Sequence, residues 1–107
     1  MSLRWKIEYW VEPSKKNSIK EWFENLPKEH VISITDEIEK LEIYGNNLKM
    51  PSSKALGKGL FELRERTYHY RIYYTFNGKQ IIIFLIAGNK KTQEKDIKIA
   101  RKRLQEL

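Results

Sequence analysis

The sequence predicts one α+β domain over residues 1–107: a four-stranded sheet, a helical hairpin on one face and a C-terminal helix. Three observations predict it. Phe61 to Lys91 reads as three consecutive strands joined by tight turns. Residues 3–11 alternate in polarity as a half-buried strand does. Apolar residues three and four positions apart mark helices before and after the strand run.

In the first strand, Trp5, Ile7, Tyr9 and Val11 share one face, and Arg4, Lys6, Glu8 and Trp10 the other. Pro13 ends it, and Ser14 is the candidate N-cap of a helix running to about Leu26. Ile19, Trp22, Phe23 and Leu26 form that helix's apolar stripe. Pro27 breaks the chain and suits the first turn of a second helix. Val31, Ile34, Ile38 and Leu41 are its buried stripe, and Gly45 its stop. So short a link predicts an antiparallel hairpin. Asn46 to Gly59 is the least regular stretch and is expected to be a loop.

The meander follows. Asn77-Gly78 lies between two apolar runs, and both residues tolerate positive φ, so a two-residue hairpin loop is expected there. That register sets Tyr74 opposite Ile81, Ile72 opposite Ile83 and Tyr70 opposite Leu85. A turn at Thr67-Tyr68 sets Arg64 opposite Arg71. The core face then collects Phe61, Leu63, Tyr70, Ile72, Tyr74, Ile81, Ile83 and Leu85. The other face carries Glu62, Arg64, Arg66, Arg71, Tyr73 and Thr75 beside Ile82, Phe84 and Ile86. The last strand is apolar on both faces, which requires cover on both sides. Thr92 is the candidate N-cap of the last helix, whose stripe is Ile97, Ala100, Leu104 and Leu107.

Composition narrows the function. There is no cysteine, and two histidines do not make a typical zinc site, so neither a metal nor another cofactor is expected. No apolar run approaches a membrane span, and the N-terminus lacks a signal-peptide core, so a cytoplasmic location and no membrane partner are expected. The net charge of +7 is unevenly placed. Residues 1–46 hold seven basic and nine acidic residues, a net of −2. Residues 47–107 hold fourteen and five, a net of +9. A basic half joined to an acidic half points to a polyanion-facing surface, and nucleic acid is the partner class that fits.

Two arginines directly opposite each other repel, so Arg64 and Arg71 either splay into water or grip one anion together. Lys90 and Lys91 follow the last strand, and Lys54 and Lys58 precede the meander. Tyr73 shares a face with Arg71, where it either stacks on a base or packs under the last helix. His69 falls beside a turn and His30 opens a helix; neither has a partner visible in the sequence. No Ser-His-Asp arrangement, phosphate-cradling glycine loop or metal-ligand cluster is present.

The element order β-α-α-β-β-β-α, with K-x-L-x-x-G-L-F-E-L-R, then Y-R-I-Y-Y, then G-N-K-K-T, resembles the RelE superfamily of toxin–antitoxin toxins, in particular its phage-derived HigB-like branch. The resemblance covers essentially the whole chain. It implies a mainly antiparallel sheet in the order 1-4-3-2. It implies a ribosome-dependent endoribonuclease (an mRNA interferase) that cuts mRNA in the ribosomal A site, touching rRNA, and so inhibits translation. It also implies a cognate antitoxin, commonly a helix-turn-helix protein, and a heterotetramer with it as one assembly. Residue by residue, Arg64, Arg71, Lys90 and Lys91 match the family's catalytic basic positions. Lys54, Lys58, Arg66 and Tyr73 are the candidate RNA- and ribosome-binding residues. Asp96 stands near the position where some members have tyrosine, and no C-terminal histidine or tyrosine is present, so the general acid and base stay open. Cleavage by a ribose 2′-hydroxyl needs no metal, because arginines can carry the phosphorane charge. Lysine serves as a base when neighbouring cations lower its pKa. Two other readings compete: a gyrase-inhibiting toxin of the related ParE type, and a non-catalytic RNA- or antitoxin-binding module.

Overall fold

In the computed structural model, which describes residues 3–107, the elements are β1 (Lys6–Tyr9), α1 (Ser18–Glu24), α2 (Lys28–Tyr44), β2 (Ser53–Gly57), β3 (Leu60–Glu65), β4 (Tyr70–Phe76), β5 (Ile81–Asn89) and α3 (Gln93–Gln105). The sheet has five strands in the order β1-β5-β4-β3-β2. β1 runs parallel to β5, and the other pairs are antiparallel. The class is α+β, as expected, with the first strand beside the last.

The expected four strands become five because part of the Asn46–Gly59 loop is β2. Ser53, Lys54 and Ala55 pair with Leu63, Glu62 and Phe61. This edge strand lacks the alternation that marks a strand in sequence, and its partner supplies the ladder. Ser53 Oγ and Tyr74 Oη, 2.5 Å apart and buried, tie it down. Burial pushes the Tyr74 phenol up to about 12, so it stays a neutral partner in that bond.

The hairpin register also differs. Asn77 N–H donates to Ile81 O at 3.0 Å, and Gly78 and Gln80 both take positive φ, so the loop is three residues long. Tyr74 pairs with Phe84 and Ile72 with Ala87, with a bulge between Tyr73 and Tyr74. Up to the bulge the shift is three residues, an odd number that turns Ile81 to Leu85 over; beyond the bulge it is four, and Ile86 and Ala87 keep their expected faces. Ile82 and Phe84 therefore face the α1/α2 side, and Ile81, Ile83 and Leu85 face α3. Either register buries apolar side chains, because β5 is apolar on both faces; the sequence pattern carried no penalty against the slip. The β3–β4 register is as expected, with Arg64 opposite Arg71.

The helices cover both faces. Ile19, Trp22, Phe23 and Leu26 of the α1 region and Ile34, Ile38 and Leu41 of α2 pack on Leu63, Ile72 and Tyr74. The two helices do not form the expected extended hairpin: α1 has only seven residues and lies on β5, while α2 lies on β3. A turn at Glu12–Lys16 delays helix entry, and Asn17, not Ser14, is the cap, accepting from Lys20 N–H at 3.0 Å. On the other face Ile97, Ala100 and Leu104 pack on Tyr73, Ile83 and Leu85, whereas Leu107 is exposed. Arg101 donates to the carbonyls of Leu56 and Gly57, and Arg103 to that of Leu85 while stacking on Trp10. These two arginines staple α3 to the sheet.

Gly45 ends α2 at φ +50°, and the Trp5 indole lies against its Cα. A side chain there meets both backbone strain and the indole. Gly45→Ala is expected to cost at least ~2 kcal/mol, read as a fall in the thermal midpoint. An unchanged midpoint would mean that Trp5 does not seat there.

Candidate active site and nucleic-acid interface

The β3–β4 pairing puts Arg64 and Arg71 side by side on the α3 face. They do not simply repel, because Glu62 lies on the same face, two residues before Arg64. Its carboxylate is 0% exposed, with Oε1 3.3 Å from Arg64 Nε and 3.7 Å from Arg71 Nε. Its Oε2 accepts a 2.7 Å hydrogen bond from Gln93 Nε2, the first residue of α3. Arg71 is buried and donates through Nη1 to its neighbour's carbonyl, Tyr70 O, at 3.2 Å; Arg64 keeps a partly exposed side chain. Glu62 Oε1 and the two Nε groups meet without hydrogen-bond geometry, so the contact is an ion pair rather than a hydrogen bond, and both Nε groups are buried against the carboxylate.

The 3₁₀ turn Lys90–Thr92 that leads into α3 lies beside this cluster. Asn89 Oδ1 accepts from the Lys91 and Thr92 amides, and Thr92 Oγ1 accepts from the Asn89 amide, which closes a capping box. Thr92 Oγ1 also donates to buried Asp96 at 2.5 Å. Burial pushes the Asp96 carboxyl up, against the pull of Thr92 and Lys95. Gly88 is required beneath it, since a Cβ there would overlap Asp96 and Thr92. Asn89 was not anticipated as a cap, because Thr92 stands where the usual capping-box signature has Glu or Gln.

Lys90 and Lys91 form the exposed turn between β5 and α3. Lys90 N–H donates to His69 O at 2.9 Å, which joins this turn to the β3–β4 turn, where Arg66 is exposed. Arg71 pairs with Gly88, two residues before Lys90, so the arginines and both turns occupy one end of the sheet. Lys54 pairs with Glu62 from the edge strand and is exposed. Lys58 stands apart. It lies in the β2–β3 turn, about 20 Å from Arg64 at the usual rise per strand residue, and does not join the same surface. Tyr73 is 0% exposed under α3, so it packs rather than stacks on a base. Burial and the adjacent Glu62 carboxylate hold its phenol protonated.

His30 and His69 also have places. The His30 ring stacks on Tyr68 at 3.7 Å, and its Nδ1 lies 2.8 Å from Tyr70 Oη. No sequence signal marks this cluster, because its members are about forty residues apart. Beside it, buried Glu65 accepts from Ser33 Oγ and from the Thr67 and Tyr68 amides at 2.6, 3.0 and 2.9 Å. Among the described residues there is no group of three or more His, Asp or Glu placed to hold a metal. No helix there is long and apolar enough to cross a membrane.

A family model described as "Phage derived protein Gp49-like" matches residues 21–105. The chain belongs to this phage-derived Gp49-like family. A Haemophilus influenzae relative described as an uncharacterized protein is 42% identical over 55 residues, covering 50% of this chain and 56% of that protein. The match therefore spans about half the length of that curated relative. Solved structures place the Gp49-like chain in the RelE-like fold. A double arginine-to-alanine mutant of E. coli toxin RelE in the free state superposes with a TM-score of 0.67 at 8% identity, covering 94% of this chain and 98% of that one. The RelE–RelB complex from Pyrococcus horikoshii gives 0.57 at 18% identity, covering 82% and 97%. The isolated E. coli RelE toxin gives 0.58 at 9% identity, covering 88% and 96%.

Two predictions follow from the buried charges. Removing one partner of a buried ion cluster strands the other, so Arg71→Ala is expected to cost roughly 3 kcal/mol in urea unfolding. Adding Glu62→Ala should recover part of that loss; strict additivity would deny the coupling. The second concerns Glu65. Burial alone would push its carboxyl up, but the Ser33 hydroxyl and the amides of Tyr68, Thr67 and Tyr70 outweigh burial and hold it below its ordinary value of 4.5. A depressed carboxyl contributes stability that is complete above the unfolded-state pKa and is lost as pH falls through the folded-state one. Wild type should therefore exceed Glu65→Gln in unfolding midpoint at neutral pH, and the gap should close as pH drops below 4.5. A gap that is constant with pH would discard this role.

Proposed function

We propose that this Gp49-like chain is the toxin of a type II toxin–antitoxin system and cleaves translated mRNA on the ribosome without a metal. The observation that carries the reading is the gathering of Arg64, Arg71, Lys90 and Lys91 at one end of a RelE-like sheet. In the reaction the ribose 2′-oxygen attacks the adjacent phosphorus, and its proton passes to a base. The bond from phosphorus to the 5′-oxygen breaks, and an acid protonates that leaving oxygen. Arg64 and Arg71 stabilise the phosphorane through their Nη groups, while Glu62, against their Nε groups, holds the two guanidiniums at fixed spacing. Lys90 and Lys91, with Lys54 and Arg66 near the same end, hold the phosphate backbone and ribosomal RNA. The ribosome supplies the orientation that so sparse an acid–base apparatus needs. The toxin in the P. horikoshii structure is bound to RelB. By analogy the partner here is a cognate antitoxin that blocks this end of the sheet.

The test is induction in growing cells, with mapping of new mRNA 5′ ends on matched translated and untranslated transcripts. New ends confined to the translated copy are expected. Growth arrest without new ends would favour the gyrase-type reading, and neither effect would favour a binding-only module. Arg71→Lys separates chemistry from stability. It keeps the charge that Glu62 needs but loses the planar fork. It is expected to lower cleavage on the order of 10²–10³-fold while staying folded. Full cleavage by that variant would remove Arg71 from the chemistry.

A further inference from the structure

A cleft of about 270 Å³ opens between the β3–β4 turn and the turn after β5. Tyr68, His69 and Tyr70 line one wall, and Asn89, Lys90 and Lys91 the other. The Tyr68 ring is held from behind. His30 covers one face at 3.7 Å with an interplanar angle of 16°. His30 is itself fixed by Tyr70 Oη, and the Tyr68 amide by Glu65. Tyr68 as a residue nevertheless remains 37% exposed. Opposite it, Lys90 and Lys91 are exposed and form no ion pair among the described residues. The Asn89 and Thr92 side chains are spent on capping, so the uncommitted charge on that wall is cationic.

A rigid aromatic face opposite two free ammonium groups matches one nucleotide. The base gains stacking that any base can supply, and the phosphate gains two cations. The small volume suits one base with its phosphate. A paired base cannot expose its face to such a ring, so the strand must be single. We propose that this cleft is a single-stranded RNA subsite, with a base stacked on Tyr68 and the adjoining phosphate held by Lys90 and Lys91. The proposal rests on the RNA-cleaving reading and adds the stacking contact to it. The subsite opens at the end of the sheet that also carries Arg64 and Arg71, so it would hold a nucleotide beside the scissile one. Arg66, exposed in the same turn as Tyr68, extends the cationic rim.

The test uses the purified full chain and a short fluorescein-labelled single-stranded RNA, with fluorescence anisotropy at low salt. A second RNA carries abasic residues. Tyr68→Phe should bind like wild type, and Tyr68→Leu about 10-fold more weakly. Wild type should prefer the normal RNA to the abasic one, and Tyr68→Leu should lose that preference. Lys90→Ala with Lys91→Ala should weaken both RNAs alike and flatten the salt dependence. Thermal midpoints check that each variant is folded, and Tyr68 is exposed enough for Leu to be tolerated. The subsite is overturned if Tyr68→Leu binds like wild type, if wild type ignores the missing bases, or if wild type binds neither RNA. Ribosomal cleavage is assayed in parallel. Cleavage with no Tyr68 dependence of binding removes the subsite alone. Base-dependent binding with no cleavage removes the nuclease reading alone.

Discussion

The Glu62 carboxylate, fully buried, lies between the guanidiniums of Arg64 and Arg71 and accepts from the Gln93 amide. Without that anion, two arginines paired across neighbouring strands would repel in a poorly solvated place. With it, their charges become a constraint that couples β3, β4 and the start of α3. A buried ion cluster gives little net stability over an apolar one, yet it severely penalises any register that separates its members. The β3–β4 register and the seat of α3 therefore depend on each other. The capping box at Asn89 and Thr92, and the absence of a side chain at Gly88, set where α3 begins and so where Gln93 reaches Glu62.

The sheet is covered on both faces, and the cover is unequal. The α1/α2 side carries an aromatic-rich core that runs from Trp5 through Phe76 and Phe61 to Tyr74. The α3 side is thinner and mixes apolar packing with Glu62, Arg71 and Asp96. Arg101 and Arg103 spend their donors on backbone carbonyls of the sheet, so part of the basic charge of α3 is structural. The uncommitted cations concentrate in turns at one end, where the scaffold holds them but does not bury them. Buried charges fix geometry there, and exposed ones remain available to a polyanion.

Much of this was legible in the residues. Alternation marked β1, and 3.6-residue periodicity marked the packing stripes of α2 and α3, because a buried face must repeat with the period of its element. The Arg64–Arg71 pairing followed from placing a turn at Thr67-Tyr68, and the β3–β4 register has it. The motifs F-E-L-R, Y-R-I-Y-Y and G-N-K-K-T carried the resemblance to RelE-type toxins. Basic residues segregated into residues 47–107 pointed to a polyanion-facing surface.

Tertiary structure decided the rest, wherever the local signal was degenerate or the partners were far apart. β5 is apolar on both faces, so the sequence could not choose between registers three to four residues apart; the three-residue loop at Gly78–Gln80 and the bulge chose. β2 has no pattern of its own and exists because β3 offers it a ladder. Lys58 looked like part of one basic loop, but the strand carries it to the far end of the sheet. Tyr73 shared a face with Arg71 as expected, yet α3 buries it. The stack of His30 on Tyr68 joins residues 38 positions apart in sequence, and no spacing rule reaches that far. Periodicity reports which side of an element is buried. It does not report what covers that side, so the composition of the site was decided only when the elements packed.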